Sequence, residues 1–248
     1  VMFVDWSGSM CDMMTDTLKQ LMTLVLFCKK VGIPYEVYGF TNGYRDQGLA
    51  VADYRDGDGE MSSFNLINLI SSRMKNRDWQ EMMTYITMLA CHFNSYGGSK
   101  KCDMFHRGAG FQPAGYSLCS TPLDDTIVAA AKIVTEFKNR TKSQIVNAIF
   151  LTDGGTSSSP LGGWSYTNRY DGQEGAMVNA NGRGVLRDRK TGKIFKGKDS
   201  TSSLLEWFKY TTGIPAIGIF LTSTRGFHSH ASYTLGLDYD ATDKIMTE

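Results

Sequence analysis

The first stretch of the chain constrains its fold most. Val1–Val4 is continuously apolar and stops at Asp5. Asp12 to Val31 then repeats apolar residues at Met14, Leu18, Leu21, Met22, Val25, Leu26 and Cys28. Spacings of three and four predict an amphipathic helix, which Gly32 and Pro34 bring to an end. Tyr35–Phe40 follows, rich in residues that favour strands. A short apolar strand, a long helix and a second strand make a βαβ unit, which requires parallel pairing.

The pattern returns later. Ser120–Arg140 is predicted to be helical, with Leu123, Ile127, Val128, Ala131, Ile133, Val134 and Phe137 on its apolar side. Ile145–Leu151 reads as a buried strand ending in Thr152-Asp153-Gly154, Leu204–Tyr210 as a short helix and Ile214–Leu221 as another strand. The expected fold class is α/β, an open, mostly parallel sheet with helices on both faces. Ser63–Arg73 and Asp78–Tyr96 also read as helices. Within the glycine-rich stretch Gly154–Ser202, Val185–Arg187 and Lys193–Phe195 predict a hairpin around Lys190-Thr191-Gly192.

With 42% hydrophobic residues the chain can build a core, and with 21% charged residues and a net charge of +1 it has no broad field for nucleic acid. The length of 248 residues fits one domain, residues 1–248, enlarged by insertions at about 41–120 and 154–202. No run approaches the ~20 apolar residues of a membrane span. The chain opens on Val1 inside an apolar run, without a start Met or a basic leader, which predicts a piece of a longer polypeptide. Five scattered cysteines argue against a disulfide scaffold and for a cytoplasmic location.

Two predicted strands end in carboxylates, Asp5 and Asp153. In an open α/β sheet, the carboxyl ends of neighbouring strands meet at one crevice. Alternation along Asp5-Trp6-Ser7-Gly8-Ser9 turns Ser7 and Ser9 to the side of Asp5. Thr121, before Pro122, is predicted to cap the helix that follows at the same edge. Two carboxylates and three hydroxyls are hard oxygen ligands. They suit Mg²⁺ first and admit Mn²⁺ or Ca²⁺, with Asp5 and Asp153 acting largely through water.

These residues resemble a known motif set. Asp-x-Ser-x-Ser, a helix-opening Thr in Thr-Pro-Leu and a strand-ending Thr-Asp-Gly are similar to the von Willebrand factor A (vWA) domain and its metal-ion-dependent adhesion site (MIDAS). Carried over by motif, the metal residues are Asp5, Ser7, Ser9, Thr121 and Asp153. The likeness covers roughly residues 1–153 and 203–248. Val37-Tyr38-Gly39-Phe40-Thr41-Asn42, Asn65-Leu66-Ile67-Asn68-Leu69-Ile70 and Ile217-Gly218-Ile219 are further similar to the cobaltochelatase CobT-type A domain, in the compact form found in bacteriophage genomes. The gap from Ser9 to Thr121 is longer than in adhesion-type A domains, and Gly154–Ser202 has no counterpart.

The resemblance implies a Rossmann-like vWA fold and binding rather than catalysis. A partner's Asp or Glu would complete the metal, and the partner would be a hexameric AAA+ ATPase of the MoxR class or its target. Two other classes use the same crevice. A Mg²⁺-dependent phosphohydrolase with Asp5 as nucleophile would call for a second acid where Ser7 stands. A structural component of a larger particle would use the metal only to lock loops. No nucleophile elbow and no P-loop is present.

Cys91, His92, Cys102, His106 and Cys119 hold soft ligands within a short stretch, but their spacing matches no common zinc site. Cys91 is expected on a core-facing helical side with Met83, Ile86 and Met88. His228 and His230 follow the last apolar strand as loop residues. Arg183, Arg187, Arg189, Lys190, Lys193, Lys196 and Lys198 form a basic run around the expected hairpin. Such a run is ordinarily a solvated face, and the alternative is a dock for an acidic partner or nucleic acid.

Overall fold

The computed structural model describes residues 1–42, 64–96, 116, 118–156, 164–170, 173–179, 185–188 and 190–222. Strand β1 (Met2–Asp5) leads through a 3₁₀ turn (Gly8–Met10) into helix α1 (Cys11–Val31), then strand β2 (Glu36–Asn42). Strand β3 (Phe64–Ser71) and helix α2 (Asn76–Tyr96) follow, then helix α3 (Leu123–Thr141) and strand β4 (Ala148–Thr152). Two hairpins come next: β5 (Trp164–Tyr170) with β6 (Gln173–Asn179), and β7 (Leu186–Arg187) with β8 (Ile194–Phe195). Helix α4 (Ser200–Thr212) and strand β9 (Ala216–Phe220) close the described chain.

The central sheet has the order β3-β2-β1-β4-β9. β1 pairs in parallel with both β2 and β4, and β4 with β9, while β3 runs antiparallel to β2. The fold is therefore α/β with a mixed, mostly parallel sheet. Helix α1 forms because Met14, Leu18, Leu21, Val25 and Cys28 fall four, three, four and three residues apart, and all five are buried. Each such side chain contributes roughly 1.5–3 kcal/mol when fully buried. Gly32 ends the helix at φ 78°, a left-handed conformation that glycine adopts without penalty.

Helices α1 and α2 share one core with Val4, Trp6, Val37, Leu69 and Ile70. Helices α3 and α4 share the other with Phe3, Phe40, Ala148 and Phe150. Phe3 stacks between Tyr38 and Phe150, at 5.7 and 5.0 Å between ring centroids. The strand order thus turns around at β1, which has β2 on one side and β4 on the other. That is a topological switch point, where the carboxyl ends of strands open a crevice.

Residues 64–71 correct the helical expectation for Ser63–Arg73. Val37 pairs with Ile70 and Tyr38 with Asn68, so Leu69 is an extra residue in a bulge. Both Leu69 and Ile70 are buried, and the alternation of two breaks there. A bulged strand with apolar residues on both faces imitates the helical spacing. The strand joins the central sheet and α2 packs on α1, with the Thr15 hydroxyl donating to the Ala90 carbonyl at 3.0 Å. The hairpin predicted at Val185–Arg187 and Lys193–Phe195 is present, pairing Leu186 with Phe195 and Arg187 with Ile194. Among the described residues no helix is long and apolar enough to cross a membrane.

At the opposite end of the sheet, Glu36 is buried and accepts from Arg140 at 2.6 Å, Arg73 at 2.7 Å and Tyr38 at 2.7 Å. This node ties β2 to the last turn of α3 and to Arg73, two residues beyond the end of β3. Both guanidinium groups reach solvent, so removing their partner strands no charge in the interior. Glu36→Ala is therefore expected to cost roughly 2–3 kcal/mol, below the usual range for breaking a fully buried pair, in urea unfolding.

Candidate metal centre

Strand alternation decides where Asp5 points. Val4 and Trp6 turn toward α1 and α2, while Phe3 and Asp5 turn toward α3. Trp6 anchors the loop from behind. Its ring is fully buried, edge-on to Phe93 at 5.6 Å, and its Nε1 donates to the Tyr116 carbonyl at 2.8 Å. Gly39 makes room for it: a Cβ there would stand 3.3 Å from the indole.

The loop after Trp6 is sutured to the segment before α3. Ser7 and Cys119 form an isolated parallel bridge, with Gly8 N donating to the Cys119 carbonyl at 2.8 Å. This brings Thr121 to the Asp5 carboxylate. The expected capping role of Thr121 is corrected. Helix α3 starts at Leu123, Pro122 occupies the cap position, and no side chain caps it. Proline sits one residue earlier than expected because its ψ of 60° is not helical. The Thr121 hydroxyl is left to face Asp5.

The remaining contacts close a ring. The Ser7 and Ser9 hydroxyls lie 3.0 Å apart, and Ser9 Oγ donates to Asp153 Oδ1 at 3.0 Å. Thr152 Oγ1 donates to Asp5 Oδ2 at 2.6 Å. Asp5, Ser7, Ser9, Thr121 and Asp153 thus gather at the switch point, at the carboxyl ends of β1 and β4. Asp5 is 0% exposed, and its Oδ1 has no hydrogen-bond partner. Burial, with the charge of Asp153 adding to it, pushes the Asp5 carboxyl up from 3.8 to about 6, against the pull of the Thr152, Ser7 and Thr121 hydroxyls.

A divalent cation fits this donor set. An unpartnered carboxylate oxygen, fully buried beside hydroxyls and a second carboxylate, is costly without a positive charge and favourable with one. All the donors are hard oxygens, which suit Mg²⁺. Two functional residues escape sequence reasoning. Thr152 orients Asp5, and only the pairing of β1 with β4 sets them side by side. Asp124, fully buried in the first turn of α3, accepts from Ser200 Oγ at 2.6 Å and from Thr201 Oγ1, while its own N–H donates to Thr156 Oγ1 at 3.3 Å. It locks the starts of α3 and α4 to the loop carrying Asp153.

Of the cysteine and histidine group, Cys91 is half-buried rather than in the core, Cys119 is exposed, and His92 packs edge-on to Phe93 at 5.4 Å. Cys91 falls beside the buried stripe of Ile86, Leu89, Ala90 and Phe93. Cys102, His106, His228, His230, Arg183 and Arg189 lie outside the described residues. No protein-family model, curated protein or solved structure matches the chain.

Proposed function

We propose that the chain is a Mg²⁺-dependent protein recognition module of the vWA type, with Asp5, Ser7, Ser9, Thr121 and Asp153 as its MIDAS. The observation that carries this reading is the buried, unpartnered Oδ1 of Asp5, set among hydroxyls at the switch point of the sheet. The strand order β3-β2-β1-β4-β9 supports it, because it is the order of a doubly wound, Rossmann-like sheet apart from the reversal of β3. Bound Mg²⁺ would supply a hard, positively charged centre able to take one more carboxylate oxygen.

This chain's own residues do the positioning. Thr152 holds one oxygen of Asp5 and leaves the other for the metal. Ser9 tethers Asp153, and Trp6 fixes the loop between the two serines and β1. The partner in this reading presents an Asp or Glu side chain. Following the CobT-type resemblance, it is a MoxR-class AAA+ ATPase in a chelatase-like assembly. A phosphohydrolase would need a second acid near Asp5, and Ser7 stands there instead.

Affinity capture on the immobilised chain tests the reading. From a lysate of the native host, an AAA+ ATPase is expected to be retained in Mg²⁺, released by a chelator and absent from the Asp5→Ala column. The same proteins retained under all three conditions would contradict it. The purified chain is expected to show no Mg²⁺-dependent turnover of p-nitrophenyl phosphate.

A further inference from the structure

Parallel strands are ordinarily buried on both faces. On the side of α3 and α4, strands β4 and β9 follow this rule, because Ala148, Phe150 and Ala216 pack into the core that those helices form. On the side of α1, the cover stops short of β9. Ile217 and Ile219 pair with Ile149 and Leu151, which lie against the α1 core, yet both are 42% exposed. Between α1 and β9 runs a groove of about 440 Å³. Leu151, Ile219 and Leu221 form its floor, and Met13, Leu21 and Leu24 of α1 form its wall. The apolar wall continues along the helix. Leu24, Phe27 and Val31 follow one another at helical spacing and are 42, 56 and 57% exposed.

Shape and charge together define what fits. The groove follows the axis of α1, so a helix laid beside α1 would complete the layer over β4 and β9. The rim of the groove is acidic. Asp12 and Asp16 line the end where α1 begins, and among the described residues no Lys or Arg lines the groove. Asp16 meets Lys19 at 3.1 Å, but both side chains are exposed, and such a pair contributes little. The chain's own residues 223–248 answer this charge poorly, since Arg225 and Lys244 stand against Asp238, Asp240, Asp243 and Glu248. An occupant that complements the rim is apolar along one stripe and basic beside it.

We propose that the groove between α1 and β9 docks a basic amphipathic helix of a partner protein. The proposal does not depend on the metal reading above. Apolar side chains at every third or fourth position of that helix fill the groove over Ile219 and against Leu24, the usual way in which a helix is held by a groove. Lys or Arg on its flank meets Asp12 and Asp16. Apolar burial supplies the affinity, and the two carboxylates set the preference for a basic helix over an acidic one. Met13 suits this role, because a flexible thioether adapts to side chains of different shape.

The test uses the whole chain and two fluorescein-labelled helical peptides, LKKLLKLLKKLLKL and its counterpart with glutamate in place of lysine, read by anisotropy. The wild type is expected to bind the lysine peptide at least ~10-fold more tightly than the glutamate peptide. L24E/I219E sets charge into the groove and should weaken lysine-peptide binding by at least ~10-fold. I145E changes an exposed apolar residue outside the groove and should bind as the wild type does. D12K/D16K should reverse the preference between the two peptides. All the substituted side chains are exposed, so each variant is expected to keep the circular dichroism of the wild type. Equal lysine-peptide affinity in wild type and L24E/I219E would overturn the proposal, as would an equal loss in I145E or an unchanged preference in D12K/D16K. A free peptide of residues 223–248 that binds as tightly as the lysine peptide would give the groove to this chain's own end and overturn it. So would a wild-type dimer in sedimentation that L24E/I219E turns into a monomer, since the occupant would then be a second copy.

Discussion

Asp5→Asn is expected to stabilise the metal-free chain above pH 6 while abolishing its response to Mg²⁺. The buried carboxyl of Asp5 is pushed up from 3.8 to about 6 by burial and by Asp153. A carboxyl raised in the folded state favours folding while protonated, so its full contribution is present below about pH 4. That contribution is lost as pH rises through 6 and stays lost above it, at a cost of about 3 kcal/mol. Asparagine keeps an acceptor for the Thr152 hydroxyl and never ionises. In urea unfolding without metal, the two proteins should match near pH 4, and the variant should be more stable by about 3 kcal/mol at pH 7.5. Mg²⁺ should raise the wild type and leave the variant nearly unchanged, since losing the Asp5 carboxylate should weaken binding by about 100-fold. A variant less stable than wild type at pH 7.5 without metal would show that the ionised Asp5 is already compensated inside the protein. A site that is costly when empty is what a binding function demands of a residue that folding alone would not choose.

Trp6→Ala should produce the largest loss of stability. The indole is fully buried, contacts Phe93 and Gly39, and uses its Nε1 to hold the Tyr116 carbonyl. Removing a buried aromatic of this size costs roughly 3–5 kcal/mol. Trp6→Phe keeps most of the packing and loses the hydrogen bond, so about 1–2 kcal/mol is expected. Chemical denaturation of both variants measures these values. The Phe variant should also retain Mg²⁺ binding, because the main chain of Ser7 and Gly8 stays sutured to Cys119. Equal losses in the two variants would mean that the Nε1 bond, and not the packing, holds the loop.

The first βαβ unit was legible because α1 carries an unbroken run of buried positions at helical spacing and β1 is buried throughout. The β7–β8 hairpin was legible from its turn residues, and Asp188 shows why: its carboxylate organises the Lys190-Thr191-Gly192 turn. Strand β3 was not, because the bulge at Leu69 destroys the alternation by which a strand is recognised. The β5–β6 hairpin also went unforeseen, although the sequence sets Trp164, Tyr166 and Tyr170 at alternate positions before Asp171-Gly172, a pair that favours two-residue hairpin turns. At the site, residue types and order pointed to Asp5, Ser7, Ser9, Thr121 and Asp153 without knowledge of any contact. Thr152 and Asp124 lay beyond reach. One acts through strand register and the other through α4, distant in sequence.

Calorimetric titration of the metal-free chain with Mg²⁺, beside Asp5→Asn, tests the central claim most directly. One binding site in the wild type and none in the variant is the predicted result. No binding in the wild type, or binding that survives in Asp5→Asn, would contradict it.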